Sequence, residues 1–205
     1  YERSAVAALM SQQPDIILLP GDFYQGPAEQ FEAMLPVYRD LLADLHAPGG
    51  VYAVLGNIDK RETLDRLFEG TSVRLLLDES LQIRVRDRVV TLCGISCDRY
   101  LPPVSLRALR DCESLSGEGD IRLLLSHSPD SALALPPASR IDLVVAGHTH
   151  GGQVVLPLLG PPVTFSRVPR AVGAGGLHTL DGHPVYVSRG VGREGNQAPR
   201  IRFLC

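Results

Sequence analysis

The sequence predicts an α/β fold, and two kinds of segment support this prediction. Short apolar runs bounded by proline and glycine, such as PDIILLPGD at 14–22 and GGVYAVLGN at 49–57, are typical of buried strands. Between such runs lie segments whose apolar residues recur at helical spacing. Because strands and helices alternate along the chain, we expect one α/β domain over residues 1–205.

Each predicted element of the first half rests on its local pattern. In order, these elements are the end of a helix at 3–12, a strand at 14–22, a helix at 27–46, a strand at 49–57 and a helix at 61–69. The two strands are continuous apolar runs with glycine at one or both ends. The long helix carries apolar residues such as Phe31, Leu35 and Leu42 at intervals of about one turn.

The second half is predicted in the same way. Its elements are a hairpin at 81–95, a helix at 102–112, strands at 121–129 and 140–150, and shorter strands within 153–189. Partial alternation around a charged turn indicates the hairpin, and an initial proline favours the start of the helix. The two strands are again apolar runs, whereas glycine and proline interrupt the last region repeatedly.

The amino-acid composition limits the kinds of protein that this chain can be. The chain has 205 residues, of which 44% are hydrophobic and 21% charged, as in an ordinary soluble globular protein. Its net charge of −3 gives no reason to expect a nucleic-acid partner. No apolar run reaches the roughly 18 residues of a membrane span. The four cysteines lack zinc-ribbon spacing, and we expect them to be reduced and buried, or incidental.

The charge is unevenly distributed along the chain. Residues 160–205 carry six arginines against Asp181 and Glu194, so this region could receive an anion. The alternative is that these arginines do not form an anion site. Because Lys60 is the only lysine, arginine serves nearly every basic role in this chain.

Four predicted strands end in polar side chains that can bind a metal ion. The strand ends are Gly21-Asp22, Gly56-Asn57, His127 and Gly147-His148-Thr149-His150. Singly, each residue could be a turn former, a helix cap or a polar strand end. In open α/β sheets, however, the ligand site lies beyond the carboxyl ends of the strands, so we expect the four groups to converge on one edge.

Together these motifs resemble the calcineurin-like metallophosphoesterase superfamily. The resemblance is carried by GD at 21–22, GN-D at 56–59, the strand-end His127 and GHTH at 147–150. The longer strings APGGVYAVLGN, GHTHGGQV and VSRGVG resemble its bacterial YkuE-like branch. The resemblance implies a two-sheet αββα sandwich whose first strand lies upstream of this chain, and a dinuclear metal site that hydrolyses phosphate esters.

The resemblance also implies a role for each motif residue. Asp22 would bridge two metal ions, while Asn57, His127 and His148 would complete one site and His150 would ligate the other ion. Asn57 is also expected to take part in catalysis. Carboxylate, amide and imidazole ligands suit borderline ions such as Mn²⁺, Fe and Zn²⁺. Two such ions would supply an activated hydroxide for attack on phosphorus, as the resemblance implies.

Two departures from the family pattern leave alternatives open. The Asp-x-His motif expected before Asp22 is not found, because the chain begins at Tyr1, and we expect both ends to be truncated. Ile58 stands where the family has a histidine that contacts the phosphate. The main hypothesis is therefore a phosphoesterase acting on a phosphodiester or a lipid-linked phosphate, with membrane association possible through residues outside this chain. The alternatives are a metal- or phosphate-binding pseudoenzyme and a structural module.

Overall fold

Two β-sheets form the framework of the molecule in the computed structural model. The structure describes residues 2–96, 103–115, 117, 119–156 and 159–191. Three parallel strands make the first sheet, in the order β1 (Ile17–Leu19), β2 (Val51–Ala53) and β3 (Val73–Leu75). Since all three run the same way, their carboxyl ends lie along one edge.

The second sheet has six strands in the order β4-β5-β6-β7-β9-β8. The strands are β4 (Glu79–Val85), β5 (Arg88–Ile95), β6 (Ile121–Ser126), β7 (Leu143–Ala146), β8 (Gly176–Leu180) and β9 (His183–Val187). The four central strands are parallel, and β4 and β8 pair antiparallel at the two edges. The predicted hairpin within 81–95 is the pair of β4 and β5.

Helices cover the sheets. They are α1 (Glu2–Met10), α2 (Ala28–Ala43), α3 (Arg61–Phe68), α4 (Pro103–Leu115) and the four-residue α5 (Arg170–Gly173). Among the described helices, none has both the length and the apolar character that a membrane span requires.

Three apolar clusters show how the layers pack. One cluster joins the first sheet to its helices through Phe31, Leu64 and Val51, and another joins the second sheet to α4. The third lies between the sheets and contains Val54 and Leu125. Helix, sheet, sheet and helix therefore follow one another as layers, which confirms the predicted two-sheet sandwich. Whether the domain extends beyond residues 1–205 stays a prediction.

The elements differ from the sequence-based expectation in three places. The strands are shorter than their apolar runs, and β3 was not predicted. Among the described residues of 153–189, which leave out 157 and 158, only β8 and β9 are strands, and 159–169 is irregular apart from a single bridge between Leu156 and Gly160. Glycine and proline prevent regular pairing there. Cys93 and Cys112 are buried thiols, as expected, whereas Cys97 and Cys205 lie outside the described residues.

Candidate metal centre

The candidate metal-binding side chains lie where the carboxyl ends of the two sheets meet. Asp22 and Asn57 follow β1 and β2 of the first sheet, whereas His127 and His148 follow β6 and β7 of the second. The expectation of a single sheet edge is therefore wrong. The candidate side chains still converge, because the apolar cluster between the sheets packs them together and brings the carboxyl edge of one sheet beside that of the other.

Three of the predicted ligands form the tightest part of the cluster. Asn57 Oδ1 lies 2.8 Å from His127 Nε2 and 2.9 Å from His148 Nδ1. The two histidine nitrogens are 3.0 Å apart. Three potential ligand atoms thus surround one small volume, as a metal ion requires.

Asp22 lies between this group and the fifth predicted ligand. Its Oδ2 is 3.4 Å from His127 Nε2 and 3.9 Å from His150 Nε2. One ligand atom each from Asp22, His127 and His148 lie within 4.8 Å of one another. The structure therefore brings all five residues together, and their assignment as metal ligands stays a prediction.

The tautomers of the two central histidines follow from their outer partners. His127 Nδ1 is 2.7 Å from the carbonyl oxygen of Pro20, and His148 Nε2 is 3.2 Å from that of Phe165. Because a carbonyl only accepts, each of these nitrogens carries the proton. The opposite nitrogens, which face the cluster, then have free lone pairs, as in metal-binding histidines held by carbonyl partners.

The donor set therefore fits a divalent cation. The side chain of His127 is 1% exposed, and burial lowers its pKa below the usual value, which favours the neutral ring. With both rings neutral, the lone pairs of Asn57 Oδ1, His127 Nε2 and His148 Nδ1 face one another without a proton between them. A cation at their centre would turn this repulsion into attraction.

The two glycines of the GD and GN motifs permit the close contact of the first-sheet turns. A Cβ atom on Gly56 would lie 2.1 Å from Asp22 Oδ1, and one on Gly21 would lie 2.5 Å from the backbone nitrogen of Gly56. Gly21 also has φ of +90°, which favours glycine. Any side chain at either position would push the turns apart.

Asp59 holds the same two turns together, a role that the sequence did not reveal. Its Oδ2 accepts hydrogen bonds from the backbone N–H groups of Asp22 and Gly56, both at 2.8 Å, and its Oδ1 accepts one from Phe23 at 2.9 Å. Burial raises the pKa of this carboxyl, and the three N–H groups oppose that shift. In the sequence, this role could have been recognised from an acidic residue three positions after Gly56, the glycine that follows the strand.

Asp130 supports the cluster from the other side and was also not predicted. This buried carboxylate accepts hydrogen bonds through Oδ1 from the hydroxyl of Ser166 and from the backbone N–H of Arg167 at 2.9 Å. The residue before Ser166 is Phe165, whose carbonyl accepts a hydrogen bond from His148 Nε2. Asp130 thus fixes the segment that orients His148.

Strained backbone conformations accompany the predicted ligands. Asp22, His148 and His150 have φ of 62°, 67° and 52°, in the left-handed region that non-glycine residues seldom adopt. Such strain costs about 1–3 kcal/mol per residue and concentrates at functional sites. The fold therefore stabilises these turns at an energetic cost, as expected where side-chain direction matters more than local stability.

The chain is thus a layered α/β sandwich with a candidate metal-binding cluster where the carboxyl edges of its two sheets meet. Residues 3–152 match the family described as Calcineurin-like phosphoesterase, so the chain belongs to that family. This confirms the resemblance inferred from the GD, GN and GHTH motifs.

Named relatives agree with the family, and a solved structure agrees with the fold. Phosphodiesterase YaeI of Escherichia coli (strain K12) is 29% identical over 92% of this chain and 67% of its own length. Uncharacterized metallophosphoesterase YkuE of Bacillus subtilis (strain 168) is 28% identical over 99% of this chain and 68% of its own length. A putative 5'-nucleotidase from Staphylococcus aureus superposes with a TM-score of 0.56 at 12% identity, covering 97% of this chain and 43% of that one, which supports the fold.

Proposed function

We propose that this chain hydrolyses a phosphate ester with the help of two divalent metal ions, for which Mn²⁺, Fe and Zn²⁺ are candidates. The observation that carries the proposal is the convergence of lone pairs from Asn57, His127 and His148, with Asp22 beside them. Membership of the Calcineurin-like phosphoesterase family supports the same chemistry.

The residues of the cluster have distinct proposed roles. Asp22 lies within 4 Å of both His127 and His150, so its carboxylate is suited to bridge two ions. Asn57 contributes a neutral oxygen that contacts both central histidines, and its proposed second role is contact with the substrate. Two bound ions acidify water and stabilise the negative charge on phosphoryl oxygens.

The proposed substrate is a phosphodiester or a lipid-linked phosphate. One relative of this chain is named a phosphodiesterase, and the similarity covers 92% of the chain. A diester has two alcohol groups, so one side of the phosphate needs space beside the metal cluster. The irregular segment 159–169 borders the cluster through Phe165 and leaves a cleft there.

One observation favours a second candidate function. Ile58 occupies the position where the family pattern has histidine, and its N–H lies 3.4 Å from Asp22 Oδ1. An aliphatic side chain neither binds phosphate through a hydrogen bond nor protonates a leaving alcohol. The alternative is therefore a protein that binds metal or phosphate and turns over slowly.

Hydrolysis of bis-p-nitrophenyl phosphate tests the main proposal. The purified protein is stripped with a chelator, reloaded with Mn²⁺, Fe²⁺ or Zn²⁺ and assayed for nitrophenolate release, with bound metal measured by elemental analysis. We expect release that requires metal and is lost in His127→Asn. His178→Asn is the matched control, because His178 lies on β8 and its ring nitrogen contacts the carbonyl of Gly175.

The two measurements separate the candidates. Two bound ions without hydrolysis would favour the metal-binding alternative over the enzyme. Absence of both metal binding and hydrolysis would refute the proposed function altogether.

A further inference from the structure

An open cleft borders the metal cluster on the side of His148. It has a volume of about 510 Å³ and is lined by Asp130, the segment 162–167 and Arg170. Volumes of roughly 300–1,000 Å³ are usual for small-molecule sites. The predicted ligands do not line the cleft themselves, but Phe165 does, and its carbonyl is 3.2 Å from His148 Nε2, so the cleft adjoins the cluster through this residue.

Large apolar side chains in this cleft are exposed to water. Phe165 is 72% exposed and Val163 is 50% exposed. Leaving a phenyl ring in water forgoes the stabilisation that burial would provide. Exposed apolar surface beside a polar site commonly marks a binding surface.

Phe165 is exposed although its backbone is firmly held. His148 bonds its carbonyl, and the buried carboxylate of Asp130 accepts hydrogen bonds from the next two residues, Ser166 and Arg167. The φ of Phe165 is 53°, an unfavourable value for an aromatic residue. A strained, anchored aromatic at the edge of a catalytic cluster indicates a ligand contact rather than a loosely attached loop.

The charge of the cleft complements a phosphate ester. Arg167 and Arg170 line it together with the apolar residues. Asp130 lines it as well, and its carboxylate offsets one of the two positive charges, so the lining remains net positive. The cleft therefore offers an apolar wall and two cationic side chains next to the site proposed for the phosphoryl group.

We propose that this cleft binds an apolar organic group of the substrate, with Phe165 and Val163 contacting that group and Arg167 facing the phosphate. The substrate class is thus an amphiphilic phosphate ester whose hydrocarbon part begins close to phosphorus. This inference rests on the proposed function, because it places the phosphate at the metal cluster.

A single tryptophan provides the test, because the 205-residue chain contains none. The variant Phe165→Trp, loaded with Mn²⁺, is titrated with octylphosphonate, methylphosphonate and inorganic phosphate, and its emission is recorded. Phosphonates are used because their C–P bond resists hydrolysis. Leu177→Trp is the matched control, since Leu177 is 68% exposed on β8.

We expect a saturable blue shift with octylphosphonate in Phe165→Trp and none in Leu177→Trp. Burial of only about two of the extra methylenes makes octylphosphonate bind about tenfold more tightly than methylphosphonate. When Arg167→Gln is added to Phe165→Trp, the affinities for both phosphonates should fall by a similar factor, because the substitution removes a charge without changing the apolar wall. Val163→Ser should reduce the preference for the longer chain.

Three results would overturn the inference. They are equal affinity for the two phosphonates, an equal shift in Leu177→Trp, and an emission maximum that is already blue in the free protein and does not respond to ligand. The last would show that another part of the protein covers the ring. Metal-dependent hydrolysis of bis-p-nitrophenyl phosphate by the same preparation would leave the proposed function intact, whereas its absence would refute that function separately.

Discussion

Replacement of Asp59 tests whether one carboxylate holds the two turns of the first sheet at the metal cluster. Its oxygens accept three backbone hydrogen bonds, two on Oδ2 and one on Oδ1. Asp59→Ala leaves the N–H groups of Asp22, Phe23 and Gly56 without an acceptor. An unpaired buried donor costs about 1–3 kcal/mol, so partial access of water to this half-buried site gives an expected loss of about 3–5 kcal/mol.

Asp59→Asn should cost less, because the amide keeps one oxygen. With that oxygen at the Oδ2 position, the Asp22 and Gly56 bonds remain and only the Phe23 bond is lost, which predicts a cost of about 1–2 kcal/mol. Urea unfolding of both variants measures the two free energies. Asp65→Ala is the control, because Asp65 is an exposed residue on α3 and its ion pair contributes at most about 1 kcal/mol.

Metal binding supplies a second measurement on the same variants. A metal that binds only the folded state raises the free energy of unfolding in proportion to the logarithm of its concentration over its Kd. If Asp59 positions the turn that carries Asp22, the stabilisation by Mn²⁺ should shrink in Asp59→Ala and persist in Asp65→Ala. Equal destabilisation by the alanine and asparagine variants, or unchanged Mn²⁺ stabilisation in Asp59→Ala, would show that the carboxylate does not hold the turns.

Three further predictions concern the ligands and their neighbours. Asp22→Asn should lower the metal content more than His127→Asn, because a bridging carboxylate serves two ions, and equal losses by elemental analysis would argue against bridging. Gly56→Ala should destabilise the fold and release metal, since its Cβ would lie 2.1 Å from Asp22 Oδ1, and normal thermal unfolding and metal content would contradict this. Ile58→His should raise the rate with alkyl phosphodiesters more than with nitrophenyl esters, because a positioned acid contributes about 10²–10⁴-fold where the leaving group is poor. A variant that retains its metal and changes both rates by one factor would disprove the missing-acid hypothesis.

The sequence alone determined the class of fold and the residues of the candidate site. Burial of a short strand requires a continuous apolar run, and the polar residue that ends the run is visible in the same few letters. For this reason Asp22, Asn57, His127, His148 and His150 could be named as candidates, and the structure brings them together.

The tertiary structure decided which sheet each strand joins and which residues support the ligands. Strand pairing depends on contacts between distant segments, so local patterns did not distinguish one sheet from two or reveal the short β3. His127 bonds the carbonyl of Pro20 across 107 positions, and Asp130 bonds Arg167 across 37. Asp59 and Asp130 look like ordinary turn acids in sequence, and only the folded chain places backbone N–H groups around their oxygens.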